Sequence, residues 1–194
     1  MIAAKRSALT PDVKLLAPDE ALDEGLVEQV VRLINGAYAV GEAGLWQEGA
    51  MRIQPREIAA AIRNRGLLAA RVEGRIVGCA YVRQLDAGTA DLGLISTATD
   101  YWGSGIGREL VRSAEELMRS RGVTTMQLEL LVPKGWVHPE KNKLHAWYMR
   151  LGYRVVRSAP FEQIAAHLAP QLAVPCEILI FQKSLTEVPG PSPR

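Results

Sequence analysis

Trp102-Gly103-Ser104-Gly105-Ile106-Gly107-Arg108-Glu109 is the stretch on which the reading of this chain turns. Its three alternate glycines follow a strand-like run, Ala90 to Thr97. They precede a helical run that brings Ile106, Leu110, Ala114, Leu117 and Met118 to one face and closes at Gly122. Glycines in such a turn let the backbone approach a ligand closely and let several N–H groups converge on one anion. The first helical turn adds its own unpaired N–H groups and the positive end of its dipole. The pattern describes a pyrophosphate cradle; the plainer alternative is a turn that only allows tight strand-to-helix packing. Two familiar phosphate loops are excluded. A P-loop ends in Gly-Lys-Ser/Thr, whereas this run ends in Gly107-Arg108-Glu109. A dinucleotide fingerprint places G-x-G-x-x-G after the first strand of a βαβ unit, whereas this G-x-G-x-G follows later strands.

Upstream, a first helix is expected from near Asp23 to about Tyr38, burying Leu26, Val30, Leu33, Ile34 and Ala37. A second begins at Pro55, buries Ile58, Ala61 and Ile62, and stops before Gly66. Leu67 to Val72 and Arg75 to Val82 alternate like strands and join at Glu73-Gly74 as a hairpin. The run from Ala90 to Thr97 sets Leu92 and Leu94 on one face. Downstream, the strand Thr124 to Val132 sets Met126, Leu128, Leu130 and Val132 on one face, with Gln127 and Glu129 on the other. A loop with Pro133, Gly135, His138 and Pro139 leads to a helix, Asn142 to Leu151, burying Leu144, Trp147, Tyr148 and Leu151. A strand from Tyr153 to Val156, a short helix within 161–169 and a last strand from Cys176 to Gln182 follow. This order predicts an α/β layer fold around a mixed sheet.

At 194 residues, 48% hydrophobic and 23% charged, the chain has the size and composition of one ordinary domain. That domain is read as 13–185, with 1–12 and 186–194 as N- and C-terminal tails. The net charge of +2 leaves no nucleic-acid footprint. No secretory signal is read at the N-terminus, and no run approaches the ~20 apolar residues of a membrane span, so no membrane partner is expected. Cys79 and Cys176 lie in apolar runs without metal-ligand spacing, which points to no metal and to a reducing, cytoplasmic setting.

Two segments, Leu94 to Gly107 and Trp147-Tyr148-Met149-Arg150-Leu151-Gly152-Tyr153, together resemble the acetyl-CoA loop and the later Leu-Tyr-x-x-Leu-Gly-Phe/Tyr-like run of the GNAT superfamily of N-acetyltransferases. The resemblance covers most of residues 67–158, and the two preceding helices fall in the family's order. It implies a GNAT-like mixed, mostly antiparallel central sheet with helices on both faces. It also implies acetyl-CoA as cosubstrate and direct transfer of the acetyl group to an amine in a ternary complex. Cofactor contacts would come from Ile95 and Thr97 on a bulged strand, with a strand N–H polarising the thioester carbonyl. Trp102, Gly103, Ser104, Gly105, Ile106, Gly107 and Arg108 in the loop would add to them, as would Asn142 where the family often has Asn. Trp102 departs from the family, which usually has Arg or Gln there.

The resemblance also gives Tyr148 the role of protonating the departing CoA thiolate. The alternative is a core tyrosine whose hydroxyl is satisfied by a neighbour. A Lys-like amine has a pKa of ~10.4, so only about one in a few thousand is nucleophilic at pH 7 and a base is expected. Glu129, acting through water, and His138 are the two candidates, and the sequence does not choose between them. The resemblance further implies that acceptor selectivity is set by the segment between the first two helices, here Ala39 to Gln54. Tyr38, Trp46 and His138 are candidate substrate contacts, and Glu42 and Glu48 beside aromatics would suit a cationic small amine. A loop that only caps the sheet is the alternative. The expected partners are a small-molecule amine and a second copy of the chain as a homodimer. A protein Lys or N-terminal acetyltransferase, and a non-catalytic acyl-CoA-binding regulatory module, are the competing functions.

Overall fold

The computed structural model describes residues 11–186; the tail readings at 1–10 and 187–194 lie outside them. The elements are β1 (Asp12–Leu15), α1 (Glu24–Gly41), α2 (Pro55–Arg63), β2 (Leu67–Val72), β3 (Arg75–Gln84), β4 (Thr89–Thr97) and α3 (Ile106–Ser120). They continue with β5 (Thr125–Pro133), α4 (Pro139–Arg150), β6 (Arg154–Pro160), α5 (Phe161–Ile164) and β7 (Cys176–Ser184). The strands form one mixed sheet in the order β1-β2-β3-β4-β5-β7-β6. The pairs β1–β2, β2–β3, β5–β7 and β6–β7 are antiparallel, and β4–β5 is parallel. This is the GNAT-like α/β architecture expected from the sequence. Among the described residues, no helix is long and apolar enough to cross a membrane.

Several boundaries differ from the sequence reading. β1 begins at Asp12, inside the expected tail, because four residues alternating Asp, Val, Lys, Leu are too short to signal a strand; pairing of Val13 with Ala70 fixes it. On α1 the buried set is Val27, Val30, Val31 and Ile34, while Leu26, Leu33 and Ala37 are half-buried at its flank. Both sets are apolar, so periodicity alone left the phase of the helix open. The residues expected inside α2 are the buried ones, and the β2–β3 turn has positive φ at Glu73 (+50°) and Gly74 (+80°), the signature of a type I′ hairpin. α4 begins three residues earlier than read, with Pro139 in its first turn and His138 as its cap. The single helix expected within 161–169 is instead α5 followed by a 3-10 turn at Ala169–Gln171, because Ala165, at φ −139° and ψ 60°, leaves the helical region and ends α5.

By contacts the chain divides into two compact units. The first comprises residues through Ala37, Ile53–Tyr81 and Leu94–Ala114. Within it, Gly78 on β3 lets α3 sit close to the sheet. A Cβ there would lie 2.9 Å from Ile106 Cγ2 and 3.1 Å from both Leu110 Cδ1 and the Ser96 carbonyl. The end of β4 is irregular: Leu94 has φ +51°, a left-handed conformation rare for a bulky residue. The expected in-line pairing of Leu92 and Leu94 fails there; Leu92 is buried and Leu94 only half-buried.

The second unit comprises Tyr38–Arg52, Val82–Gly93 and the chain from Glu115 onward. One face of its sheet carries an apolar cluster of Leu131, Ala159, Cys176, Ile178 and Ile180 closed by Leu45 and Phe161. The strand register continues that face along β5 to Glu129, opposite Ile180, and Gln127, opposite Gln182. On the other face Tyr148 packs against Phe181 at 5.6 Å. Tyr153 donates to Glu115 Oε1 at 2.9 Å, and Lys183 donates to both Glu115 oxygens at 2.9 and 2.7 Å. Tyr153 of the Leu-Gly-Tyr run is therefore a structural anchor.

Candidate active site

In the first unit the glycine loop is a nest of main-chain donors. Gly103 (φ +77°) and Gly105 (φ +94°) hold conformations that side chains rarely adopt, and a Cβ at either would meet nothing within 4 Å. Among the described residues, the N–H groups of Gly103, Gly105, Ile106, Gly107 and Arg108 have no backbone or side-chain acceptor; the first helical bond into the loop is from the Glu109 N–H to the Gly105 carbonyl. Five open donors at a helix N-terminus fit a diphosphate. Ser104 contributes differently from expectation, because its N–H and its hydroxyl both donate to the Tyr101 carbonyl. The Ile106 side chain belongs to the core, so its N–H is what it offers.

Trp102 takes a structural part as well. Its ring is 44% exposed, and Nε1 donates to the Thr97 carbonyl at 2.8 Å, tying the loop to the end of β4. The Thr97 carbonyl, expected to be open to a pantetheine arm, is thus engaged. Ile95 is half-buried, and Ser96 Oγ is buried without a hydrogen-bond partner among the described residues. For Gly105→Ala we expect acetyl-CoA affinity to fall about 10-fold, since holding an L-residue at that φ costs about 1–2 kcal/mol and the loop would shift to relieve it. Calorimetric titration with acetyl-CoA checks this; unchanged affinity would separate the loop from the diphosphate.

The second unit holds the candidate acid and base. Tyr148 is 6% exposed, packed by Trp147, Tyr153 and Phe181. No hydrogen bond of its hydroxyl is found among the described residues. Burial, then the charges of Tyr38 and Glu42, push the phenol still higher above its ordinary pKa, so it keeps its proton at any working pH. Glu129 is reachable by solvent yet closely surrounded. Burial first, and then the charge of Asp91, hold its carboxyl above the usual carboxylate range, while Arg83, Arg157 and Arg52 pull it down. Asp91 lies opposite Gln127 on β5, diagonal to Glu129 on the same face, and pairs with Arg83 at 3.3 Å. The β4–β5 pairing extends from Thr89↔Thr125 to Leu92↔Leu128. Cys79 and Cys176 are free, and burial pushes their thiols up to about 12 and about 11, which leaves both protonated.

The other imidazole candidate is committed. His138 caps α4: Nδ1 accepts from the N–H groups of Glu140 and Lys141, and Nε2 lies 3.1 Å from the Ala43 carbonyl. It is buried rather than lying on an open loop, with both ring nitrogens engaged. Asn142 is exposed on the first turn of α4.

The acceptor segment is also organised differently from expectation. Glu42 is 3% exposed; Lys141 donates to its Oε1 at 2.6 Å, Trp46 Nε1 donates to its Oε2, and Arg52 lies 3.5 Å away. The Arg52 guanidinium sits 5.3 Å from the Tyr38 ring and 5.2 Å from the Trp46 ring. The carboxylate and both aromatic faces assigned to a cationic amine are therefore occupied by the chain's own cations. Glu48 is exposed. Arg52, Lys141 and Asp91 escaped the sequence reading. Lys141 carries a signal, since it shares a helical stripe with Leu144 and Tyr148, but it lies in the turn of α4 that precedes the expected helix start at Asn142.

A main-chain anion cradle in this sheet order puts the protein in the class of acyl-CoA-dependent transferases. Its sequence matches the pattern of the acetyltransferase (GNAT) family over residues 28–153, and the chain belongs to that family as an acetyl-CoA-dependent N-acetyltransferase. An aminoglycoside 6'-N-acetyltransferase solved with coenzyme A is 16% identical, with a TM-score of 0.67 over 92% of this chain and 99% of that one. The paia N-acetyltransferase from Thermoplasma acidophilum, in complex with coenzyme A, is 16% identical, with a TM-score of 0.65 over 90% of this chain and 99% of that one. Ard1 from Thermoplasma volcanium is 14% identical, with a TM-score of 0.64 over 91% and 99% of the two chains. At these identities the likeness is one of fold. No curated protein sequence matched the chain.

Proposed function

We propose that the acceptor is the primary amine of a small molecule and that it attacks directly while both substrates are bound. The observation that carries the acyl-transfer reading is the row of five open N–H groups from Gly103 to Arg108, which would hold the diphosphate of acetyl-CoA. When bound, that cosubstrate supplies a thioester. Tyr148 keeps a proton on Oη for a departing thiolate, and Glu129 is the carboxylate available to take one from the amine, directly or through water. His138, the second base candidate, is disfavoured because both ring nitrogens are engaged in capping α4. The small-molecule reading is supported by the acceptor segment, where Leu45 is buried in a core cluster and Trp46 packs on Phe161 at 5.7 Å. A segment fastened this way forms a wall more readily than an open groove for a peptide. We also propose a reducing, cytoplasmic setting, supported by the two free thiols.

The test is CoA release across a panel of small amines and lysine- or N-terminus-bearing peptides. Turnover of peptides alone would transfer the protein to the protein-directed class. Stabilisation by acetyl-CoA without any CoA release would favour a binding module. The base assignment has its own test in the acidic limb of kcat/KM, which should lie above the ordinary carboxylate range of ~4.3. Activity rises with pH through that limb because the base works deprotonated. Asp91→Asn, by removing the negative charge beside Glu129, should move the limb to lower pH, and Glu129→Gln should abolish it. A limb unmoved by either substitution would exclude Glu129.

A further inference from the structure

The face of the second unit's sheet that carries Glu129 changes character along its strands. On β5 its positions run Gln127, Glu129 and Leu131, and on β7 they run Gln182, Ile180 and Ile178. The apolar end is closed, because Leu131, Ile178 and Ile180 pack in the cluster with Leu45 and Phe161. The other end is polar. Gln127 and Gln182 lie directly opposite each other, with Asp91 beside Gln127 on β4, and all three are half-buried. Asp91 is engaged by Arg83 at 3.3 Å. The two glutamines make one hydrogen bond, from Gln182 Nε2 to Gln127 Oε1 at 3.3 Å, and no other hydrogen bond of their side chains is found among the described residues. Two amides joined once keep one carbonyl oxygen and one NH2 open, whichever way each group is turned. The polar end therefore offers a neutral donor and a neutral acceptor side by side. They stand two residues along β5 from Glu129, about 7 Å at the rise of an extended strand. A molecule whose amine meets Glu129 finds the apolar end filled and extends over the glutamines.

We propose that Gln127 and Gln182 form a subsite for the acceptor, so that the substrate is a small primary amine carrying an uncharged group that both donates and accepts, a hydroxyl or a carboxamide, about 7 Å from its nitrogen. Such a group completes the open donor and the open acceptor together, whereas a carboxylate offers no donor and an ammonium no acceptor. The inference rests on the small-amine reading above, with Glu129 as its base, and narrows it.

The test is steady-state CoA release with matched sets of amines: an alkylamine, and the amines of the same length that end in a hydroxyl, a carboxamide, a carboxylate or a second ammonium. The unmodified enzyme should prefer the hydroxyl or the carboxamide over the plain alkylamine by about 10-fold in kcat/KM, the scale of neutral hydrogen bonds at a site that solvent reaches. Whichever of the two is faster identifies the group. Gln127→Met and Gln182→Met keep the length of each side chain and strip its amide, and in either variant the ratio should fall towards one. Stabilisation by acetyl-CoA serves as the check that each variant is folded, and the comparison on the unmodified enzyme needs no variant at all. Equal turnover of the alkylamine, a preference for the carboxylate or the second ammonium, or a preference that survives both substitutions overturns the inference and leaves the small-amine reading standing. Turnover of peptide amines alone, with no member of any set, overturns both.

Discussion

Lys141→Met should lower stability by about 3 kcal/mol, which for a chain of this size is a fall of about 6–12 °C in Tm. The expectation follows from where the ammonium sits. Lys141 Nζ lies 2.6 Å from Glu42 Oε1, and both residues are almost wholly buried. Removing one member of a buried pair leaves the other charge without water and without its counter-ion. The effect sits at the lower end of that class because Trp46 and Arg52 still address Glu42. The double variant Glu42→Gln/Lys141→Met should recover part of the loss, since no buried carboxylate is then left without Lys141, while Arg52 loses Glu42 as a partner. Urea melts of the two single variants and the double variant check this. A change within about 0.5 kcal/mol for Lys141→Met, the range of ordinary surface substitutions, would mean that Glu42 is not a desolvated charge.

Tyr148→Phe should leave the fold intact and lower kcat by about 10²-fold, the scale of a positioned proton donor. The ring and its contacts with Trp147, Tyr153 and Phe181 survive the change. The hydroxyl has no partner among the described residues, so its loss orphans nothing. Stability and activity should therefore separate: an unchanged melt beside a large loss of turnover. A purified Tyr148→Phe enzyme with full activity would refute the acid role. Loss of stability with unchanged turnover would make Tyr148 a packing residue.

Most of the fold could be read from local patterns. The hairpin at Glu73-Gly74 and the glycine loop are each dictated by a backbone conformation that few residues adopt, and α2 starts at a proline whose missing N–H costs nothing there; such positions leave their mark in sequence. Even there the three glycines were not equal, since Gly103 and Gly105 carry positive φ while Gly107 lies inside α3. The face of α1 was not legible, because two neighbouring stripes are both apolar. The candidate residues that a motif marks, the glycine loop and Tyr148, could be named from the sequence. The juxtapositions made by distant segments were not legible: Glu42 and Arg52 come from one loop and meet Lys141 from the start of α4, and Asp91 and Glu129 come from two strands joined by register. Reading Lys141 as loop hid its buried stripe. Reading Glu42 by its charge alone made it a ligand for an acceptor amine, when folding had already given it two cations.

The bond from Trp102 to the Thr97 carbonyl has an optical consequence. An indole that is half in water and fixed by its own N–H reports on its surroundings through emission wavelength and anisotropy. The chain has four tryptophans, and replacing Trp46, Trp136 and Trp147 with phenylalanine would leave Trp102 as a lone fluorophore set into the rim of the cradle. Following its emission during titration with acetyl-CoA would test, without a label, whether the cradle takes up the cosubstrate.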